Sequence, residues 1–423
     1  MSPATSNKRP RVPVLRRGHA VRASAAAAAC LAGIPCAHAV TTFAPLATAG
    51  VVYDSNVFAV PSFAPPFAGS GNTALGDTIE HYVVGATATF GWENDDLKLT
   101  AQGERFEYHH FDELDHNEYK LDGLFDWNLG PIIDGTLEYT QWRYMAPFAD
   151  ILSTQLELNT DRTALGTARI LIAPEWRLSL QPKWHELESP LPDFPDFGLH
   201  ETYGTATLEY LGVAKLAAGV LVQYGEGTFH DIADATRYHQ TSEQLTAHYA
   251  VTGLSSFSGQ VGFTQRDSSY IDPAAATAVP GGGAAGAAGK TSALTGSLGL
   301  HRVLSVKTSV DLIALREVDS FVGGANPEVT TGGEADVKWD PDVKISVTLR
   351  YRYTVAKIEG DIVANEFANR TDHPQVGTLD VFYKATPWLT IRPYLERDQR
   401  TSNYALANYT TMIYGIEFTA HWQ

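Results

Sequence analysis

Tyr119-Lys-Leu-Asp-Gly-Leu-Phe-Asp-Trp-Asn-Leu129 sorts by parity. Tyr119, Leu121, Gly123, Phe125, Trp127 and Leu129 fall on one side, and Lys120, Asp122, Leu124, Asp126 and Asn128 on the other. A period of two marks a β-strand with unlike faces, because successive side chains of a pleated strand point opposite ways. The pattern recurs along the chain. From Val343 to Tyr353, Val343, Ile345, Val347, Leu349, Tyr351 and Tyr353 separate from Lys344, Ser346, Thr348, Arg350 and Arg352. Trp176, Leu178 and Leu180 alternate with Arg177, Ser179 and Gln181, and Val310, Leu312 and Ala314 follow the same rule. The last segment places Met412, Tyr414, Ile416, Phe418, Ala420 and Trp422 against Thr411, Gly415, Glu417, Thr419 and His421, with Gln423 after the final aromatic. No stretch carries a 3.6-residue repeat.

The connections between these segments are unequal. Short turns fall at Asn94-Asp95, Gly130-Pro131, Ala173-Pro174, Gly212-Val213, Gly253, Leu304-Ser305, Pro341-Asp342 and Thr386-Pro387. Longer polar or Gly/Ala-rich segments fall at 59–77, 111–118, 145–155, 187–199, 225–238, 267–291, 317–328, 356–371 and 399–407. Eight turns and nine loops join eighteen strands, with sixteen as the alternative. Short turns at one rim and long loops at the other are the plan of a transmembrane antiparallel β-barrel with short periplasmic turns and long extracellular loops. A soluble sandwich has no reason to segregate its loops this way. Trp92, Trp127, Trp176, Trp339 and Trp388 lie near short turns and Trp422 near the C-terminus, as expected of an aromatic girdle at the membrane–water boundary. Pro182 and Pro393 fall inside strands, where each removes a ladder donor and is expected to mark a bulge near the rim or a slip in the assigned register.

Residues 1–39 read as a signal peptide. Lys8, Arg9, Arg11, Arg16, Arg17 and Arg22 precede a short apolar run from Ala25 to Ile34, and Ala37-His38-Ala39 supplies an A-x-A cleavage site. The run is too short to span a bilayer, which takes about 20 apolar residues. Cys30 and Cys36 lack the leucine three residues upstream that lipoprotein signals favour. The whole chain has 423 residues, 31 basic and 48 acidic, and a formal charge of −17. Cleavage after Ala39 removes those six basic residues and no acid, leaving 25 basic against 48 acidic residues, or −23. It also removes both cysteines and with them any thiol chemistry. Such an acidic chain is no partner for nucleic acid, which recruits clustered Lys and Arg. Residues 40–423 are then expected to form one outer-membrane barrel of a Gram-negative cell, its apolar residues turned to lipid.

Gly50-Val-Val-Tyr53-Asp54-Ser55-Asn56-Val57-Phe58 opens the first strand, and Arg105-Phe-Glu-Tyr108 leads through a hairpin to Tyr119-Lys-Leu-Asp122-Gly123. These stretches resemble a family of β-barrel porins encoded with exopolysaccharide biosynthesis machinery, the EpsL-type outer-membrane proteins. The family pattern is a glycine-led strand with a Tyr-Asp-x-Asn core, an arginine/tyrosine strand, and a hairpin into an aromatic-Leu-Asp-Gly strand. Its matching positions here are Tyr53, Asp54, Asn56, Tyr108, Tyr119 and Gly123, and the resemblance is clearest over residues 47–145. It implies a conduit or accessory for exopolysaccharide crossing the outer membrane, with periplasmic export components among its partners. Read from the residues alone, Asp54 and Asn56 beside aromatic rings suit hydroxyl-rich ligands or simply organise the first strand. Lys120, Asp122 and Asp126, with Arg350 and Arg352, are expected in the lumen, and Arg105 joins them as a contact candidate. Two other functions fit the same architecture: a general or substrate-specific diffusion porin, and a scaffold or an adhesin working through loop 267–291.

Other expected partners are outer-membrane lipid, lipopolysaccharide and barrel-assembly machinery. Asp112, Glu113, Asp115, Glu118, Asp193 and Asp196 would share divalent cations with anionic lipid. The sequence points to no cofactor, no metal centre and no enzyme. His185, His239 and His421 are scattered without a serine partner, and His109, His110, Asp112, Asp115 and His116 sit in a loop. Gly281-Gly-Gly-Ala-Ala-Gly follows no strand that opens a helix, so it makes no phosphate loop.

Overall fold

The computed structural model describes residues 40–61, 75–92, 94–151, 154–190, 197–230, 236–270, 289–320, 327–358 and 369–422. The signal-peptide reading lies outside them. The described residues form eighteen strands. The first nine are β1 (Val40–Asp54), β2 (Asp77–Trp92), β3 (Asp95–Tyr108), β4 (His116–Asn128), β5 (Ile133–Met145), β6 (Leu158–Ala173), β7 (Trp176–Ser189), β8 (Phe197–Val213) and β9 (Leu216–His230). The rest are β10 (Thr236–Thr252), β11 (Ser255–Tyr270), β12 (Gly289–Ser305), β13 (Thr308–Ser320), β14 (Pro327–Asp342), β15 (Ile345–Ile358), β16 (Thr371–Thr386), β17 (Leu389–Ser402) and β18 (Tyr409–His421). One short helix, α1 (Phe148–Ile151), interrupts the β5–β6 connection.

Each strand pairs antiparallel with its neighbours in sequence, and β1 pairs with both β2 and β18. The register Leu46↔His421 through Asp54↔Ile413 closes the sheet on itself. Closure removes every free edge, which is what allows a sheet to sit in lipid.

The parity of the sequence survives as two faces. The pairs Tyr82↔Arg105, Leu99↔Gly123 and Gly123↔Tyr139 put Tyr82, Val84, Leu99, Leu121, Leu137 and Tyr139 on one face of the sheet, the outward one. Val84, Phe263 and Leu298 are 66%, 65% and 68% exposed, values a water-soluble core would never leave on aliphatic and aromatic side chains. Trp92, Trp127, Trp176, Trp339, Trp388 and Trp422 gather at the short-turn end. All eight short connections occur within a few residues of their expected places. Register shifts beside the turns, such as Val303/Ser305 and Trp339/Asp342, account for the offsets, because a bulge adds a residue that parity alone does not locate.

Two expectations change. The strands run 13 to 17 residues rather than the roughly ten that cross a bilayer. The additional residues extend the wall at the long-loop end, where the outward rows turn polar: Arg105, Arg143, Arg162 and Glu186. Pro182 and Pro393 mark neither bulges nor register slips. The β6–β7 register is the same on both sides of Pro182, from Leu165↔Lys183 to Ala168↔Leu180, with the pairs between them missing. Pro393 leaves the same gap between Asp380↔Tyr394 and Tyr383↔Ile391. Each proline keeps the extended backbone and simply lacks the donor.

Candidate functional site

The inner wall of the barrel is the candidate site, together with the cap over its long-loop mouth. Lys120, Asp122, Asp126, Arg350 and Arg352 all lie on the inward rows, as their parity predicts. Lys120 Nζ stands 3.5 Å from Asp122, and Arg350 Nε stands 2.8 Å from Asp336 and 3.3 Å from Glu334. Arg352 faces Glu334 in register, and Asp126 faces Asp96.

Arg105 is not among them. It pairs in register with outward Tyr82, and its guanidinium reaches Glu107 at 3.2 Å and Asp115 at 3.4 Å. Parity puts it on the outer surface above the apolar band, so it is no lumen residue. Asp54 and Asn56 are inward but committed. Asp54 accepts from the Asn56 backbone N–H at 2.8 Å and from Thr411 Oγ1 at 2.6 Å. The buried Asn56 amide donates to the carbonyls of Val60 at 2.8 Å and Thr410 at 3.3 Å. Both side chains clamp the β1–β2 connection onto β18. Of the remaining motif residues, Tyr53 packs outward on Tyr414 with ring centres 5.1 Å apart, and Tyr119 accepts from Gln141 on the same outer face. Gly123 lies in register with outward Leu99, and Tyr108 is buried inside.

Sequence parity did not single out the seam that the inner wall builds. Arg392 Nε donates to Asp380 at 2.8 Å and its Nη1 reaches Glu417 at 3.0 Å. Glu417 lies 3.6 Å from His81 Nδ1, and His81 Nε2 lies 3.0 Å from Glu104. The chain of charges crosses β16, β17, β18, β2 and β3, skipping β1. It can skip β1 because Gly50 sits in register between Glu417 and His81, and a Cβ there would stand 2.8 Å from Glu417 Cγ.

A different arc is neutral. The inward rows of β10 and β12 carry mainly amides and hydroxyls in place of Lys, Arg, Asp and Glu, and that of β9 holds Gln223 among glycines and apolar residues. Ser242 meets Thr264 at 2.8 Å, Thr264 meets Thr295 at 2.8 Å, and Gln244 donates to Thr295 at 3.2 Å. At the long-loop end of this arc Arg266 lies 3.4 Å over the Tyr238 ring and donates to the Asp319 carbonyl at 3.0 Å and Ser320 Oγ at 2.7 Å. Tyr238 donates to Glu201, and Glu201 accepts from Ser320 at 3.2 Å across β9–β12. That bond draws β8 and β13 together and pinches the wall.

Three connections pack together at the long-loop end. Val57 and Phe58 from the β1–β2 segment, Phe111 and Leu114 from the β3–β4 segment, and Phe148 of α1 form one buried cluster on Ile79 and Tyr108. Phe58 stands 4.8 Å from Phe111 and 5.0 Å from Phe148 between ring centres. Buried Asp77 accepts the backbone N–H groups of Thr78, His110 and Phe111 and so holds the β3–β4 segment down. From the other side of the seam Arg400 of β17 donates to the Ala149 carbonyl at 2.7 Å, tying the β5–β6 segment across the opening. Glu157 in the same segment lies beside Ser189 and is fully buried, and that burial pushes its carboxyl above the usual range.

Beneath this cap Trp142 and Tyr144 project inward from β5 with ring centres 4.3 Å apart, and Trp142 is 41% exposed. Parity could have found them, since Leu137 and Tyr139 on the same strand point outward. Of the acidic residues expected to bind shared cations at the surface, Asp112 and Glu113 are exposed, while Glu118 and Asp115 accept backbone N–H groups. Glu118 is on the inward row and accepts the Met145 N–H at 2.7 Å, and Asp115 accepts the Tyr108 N–H at 2.8 Å. Asp193, Asp196 and most of loop 267–291 lie outside the described residues. His109 is 3.4 Å from Glu80, His110 2.8 Å from Asp77 and His116 3.1 Å from Glu118, so each histidine has its own separate partner.

No family model matches the chain, and no curated protein matches it. Solved structures do. OccK9 (OpdG) of Pseudomonas aeruginosa is 11% identical over 90% of this chain and 98% of its own, with a TM-score of 0.47. OccAB3 of Acinetobacter baumannii is 9% identical over 90% and 99%, with a TM-score of 0.45. The copper transporter OprC is 10% identical over 84% of this chain with a TM-score of 0.48, and this chain spans 61% of its length. These are likenesses of architecture at low identity, and the barrel assignment rests on this chain's own closed ladder.

Proposed function

We propose that this chain is an outer-membrane channel of the diffusion-porin type, admitting small hydrophilic solutes and favouring cations. One observation carries the reading: a single closed sheet turns apolar rows outward and a charged, hydroxylated wall inward, beneath a narrowed mouth. Outward rows of exposed Leu, Val, Phe and Tyr are solvated by lipid, and the inward rows by water. The wall favours cations because its carboxylates outnumber its cations. On β4 and β5 the inward rows hold Glu118, Asp122, Asp126, Asp134 and Glu138 against Lys120. A 290 Å3 pocket lies between the β1–β2 connection and the adjoining ends of β17 and β18, beside Asn56, Arg400 and Tyr409.

Planar-bilayer recording of the purified chain tests this. Discrete conductance steps with a reversal potential displaced toward the cation equilibrium value are expected under a salt gradient. A bilayer that stays silent, or an anion-selective pore, defeats the reading.

The second reading is the exopolysaccharide role implied by the resemblance. What supports it is the Trp142–Tyr144 slab, because exposed aromatic faces stack on sugar rings while Asp122 and Thr140, 3.1 Å apart, offer hydroxyl partners. Normal surface polysaccharide in a deletion strain would exclude it.

A further inference from the structure

The outward face of β10–β13 carries a depression near the short turns. Tyr249, Phe257, Leu298, Leu300 and Leu312 wall a groove of about 480 Å3. Gly259 forms its floor, and a Cβ there would stand 3.0 Å from Leu298 Cδ2. Two residues beyond Leu300, on the same face and nearer the turn, is Arg302. Register fixes its direction: it lies opposite Ser255 and Val310, while its neighbour His301 turns inward to Asp311 at 2.7 Å. Arg302 is exposed, and the surrounding outward positions are Tyr249, Phe257, Val310 and Leu312, with no carboxylate on that face in the short-turn half of β10–β13. Lys307 tips the adjoining β12–β13 turn beside fully exposed Val306. Its Nζ donates to the Pro341 carbonyl at 2.5 Å, which leaves two ammonium protons for other acceptors.

An arginine on a lipid-facing surface is costly, less so near the interface, and is stabilised where an anion reaches it. We propose that this groove and Arg302 bind one anionic glycerophospholipid, its acyl chain lying against Gly259 and its phosphate on the Arg302 guanidinium, with Lys307 as the second cation. The inference rests on the membrane reading above. The shape matches an amphiphile: apolar along the strands, cationic at one end, and closed to carboxylates. A second copy docking through this face would press Arg302 against a surface with no acid to pair it, which a buried interface penalises.

The test is native mass spectrometry of the full chain released from nanodiscs of mixed phosphatidylcholine and phosphatidylglycerol. The wild type should retain one phosphatidylglycerol in preference to phosphatidylcholine. Arg302→Gln should weaken that retention roughly tenfold, the size of one charge-assisted hydrogen bond. Arg302→Lys, which keeps the charge without the planar fork, should fall between them. Ala314→Leu, on the groove's β13 side, should lower retention of either lipid by filling the space. Undiminished phosphatidylglycerol in Arg302→Gln and Ala314→Leu overturns the site, as does a mass that reports a second copy in place of lipid. Insertion without any lipid preference sinks this inference alone, whereas failure to insert in either lipid overturns it together with the membrane reading.

Discussion

Single residues decide how the wall closes. Gly50 is the only position on β1 where Glu417 and His81 meet across a strand, and its missing side chain makes room for them. Gly50→Val should displace Glu417 and cost about 1–3 kcal/mol, the usual penalty of overpacking. Thermal unfolding in detergent checks this, and an unchanged midpoint would refute it. Gly227 has a comparable task, since a Cβ there would stand 2.3 Å from the Tyr238 ring that lies over it. Glu157 offers a pH-dependent effect. Burial raises its folded pKa, so the native segment favours the protonated carboxyl. As pH climbs from the ordinary carboxylate value of about 4.5 through the raised folded value, the released segment ionises first and docking loses stability. The docked β5–β6 segment should therefore be firmest in acid, and Glu157→Gln should flatten the dependence. Hydrogen exchange of residues 146–157 across that pH range would expose a contrary trend.

At the level of elements, the strands follow their sequence and the connections do not. Alternation places Lys120, Asp122, Asp126, Arg350 and Arg352 inward without any knowledge of their neighbours, because a strand has only two faces. The same rule applied to β3 puts Arg105 outward with Leu99. What parity cannot say is where a connection goes. Nothing in the spacing of Phe58, Phe111 and Phe148 announces that Phe111 and Phe148 come to 4.8 Å and 5.0 Å from Phe58 out of separate segments. The packing should matter for conduction. Phe148→Ala would remove about 3 kcal/mol of apolar contact from the cap, by the usual cost of emptying a buried aromatic site. Single-channel conductance should rise while the barrel's own melting changes little, and unaltered conductance would show that the cap does not limit flow.

For the whole molecule, the relevant quantity is the field inside a closed wall. The inward rows of β4 and β5 carry Glu118, Asp122, Asp126, Asp134 and Glu138, whereas those of β10 and β12 carry mainly amides and hydroxyls, so charge is unevenly spread around the wall. Neutralising the acidic rows should be enough to alter selectivity. The combined Asp122→Asn, Asp126→Asn and Glu138→Gln variant is expected to shift the reversal potential toward the anion value by a measurable fraction, most clearly at low salt where screening is weak. A potential that stays put would move the selectivity to the pinch around Arg266 and Glu201.

The sequence by itself determined the local geometry: an all-β chain, eighteen strands, which rim carries the short turns, and which face of a strand is apolar. Those properties depend on a period of two and on turn chemistry, both of which act over a few residues. Only the tertiary structure decided the rest. The seam joins residues more than three hundred positions apart, the cap brings together three connections, and Arg302 gains its meaning from a groove made by neighbouring strands. A linear pattern fixes the direction of a side chain, whereas its partner depends on register and closure around the whole barrel.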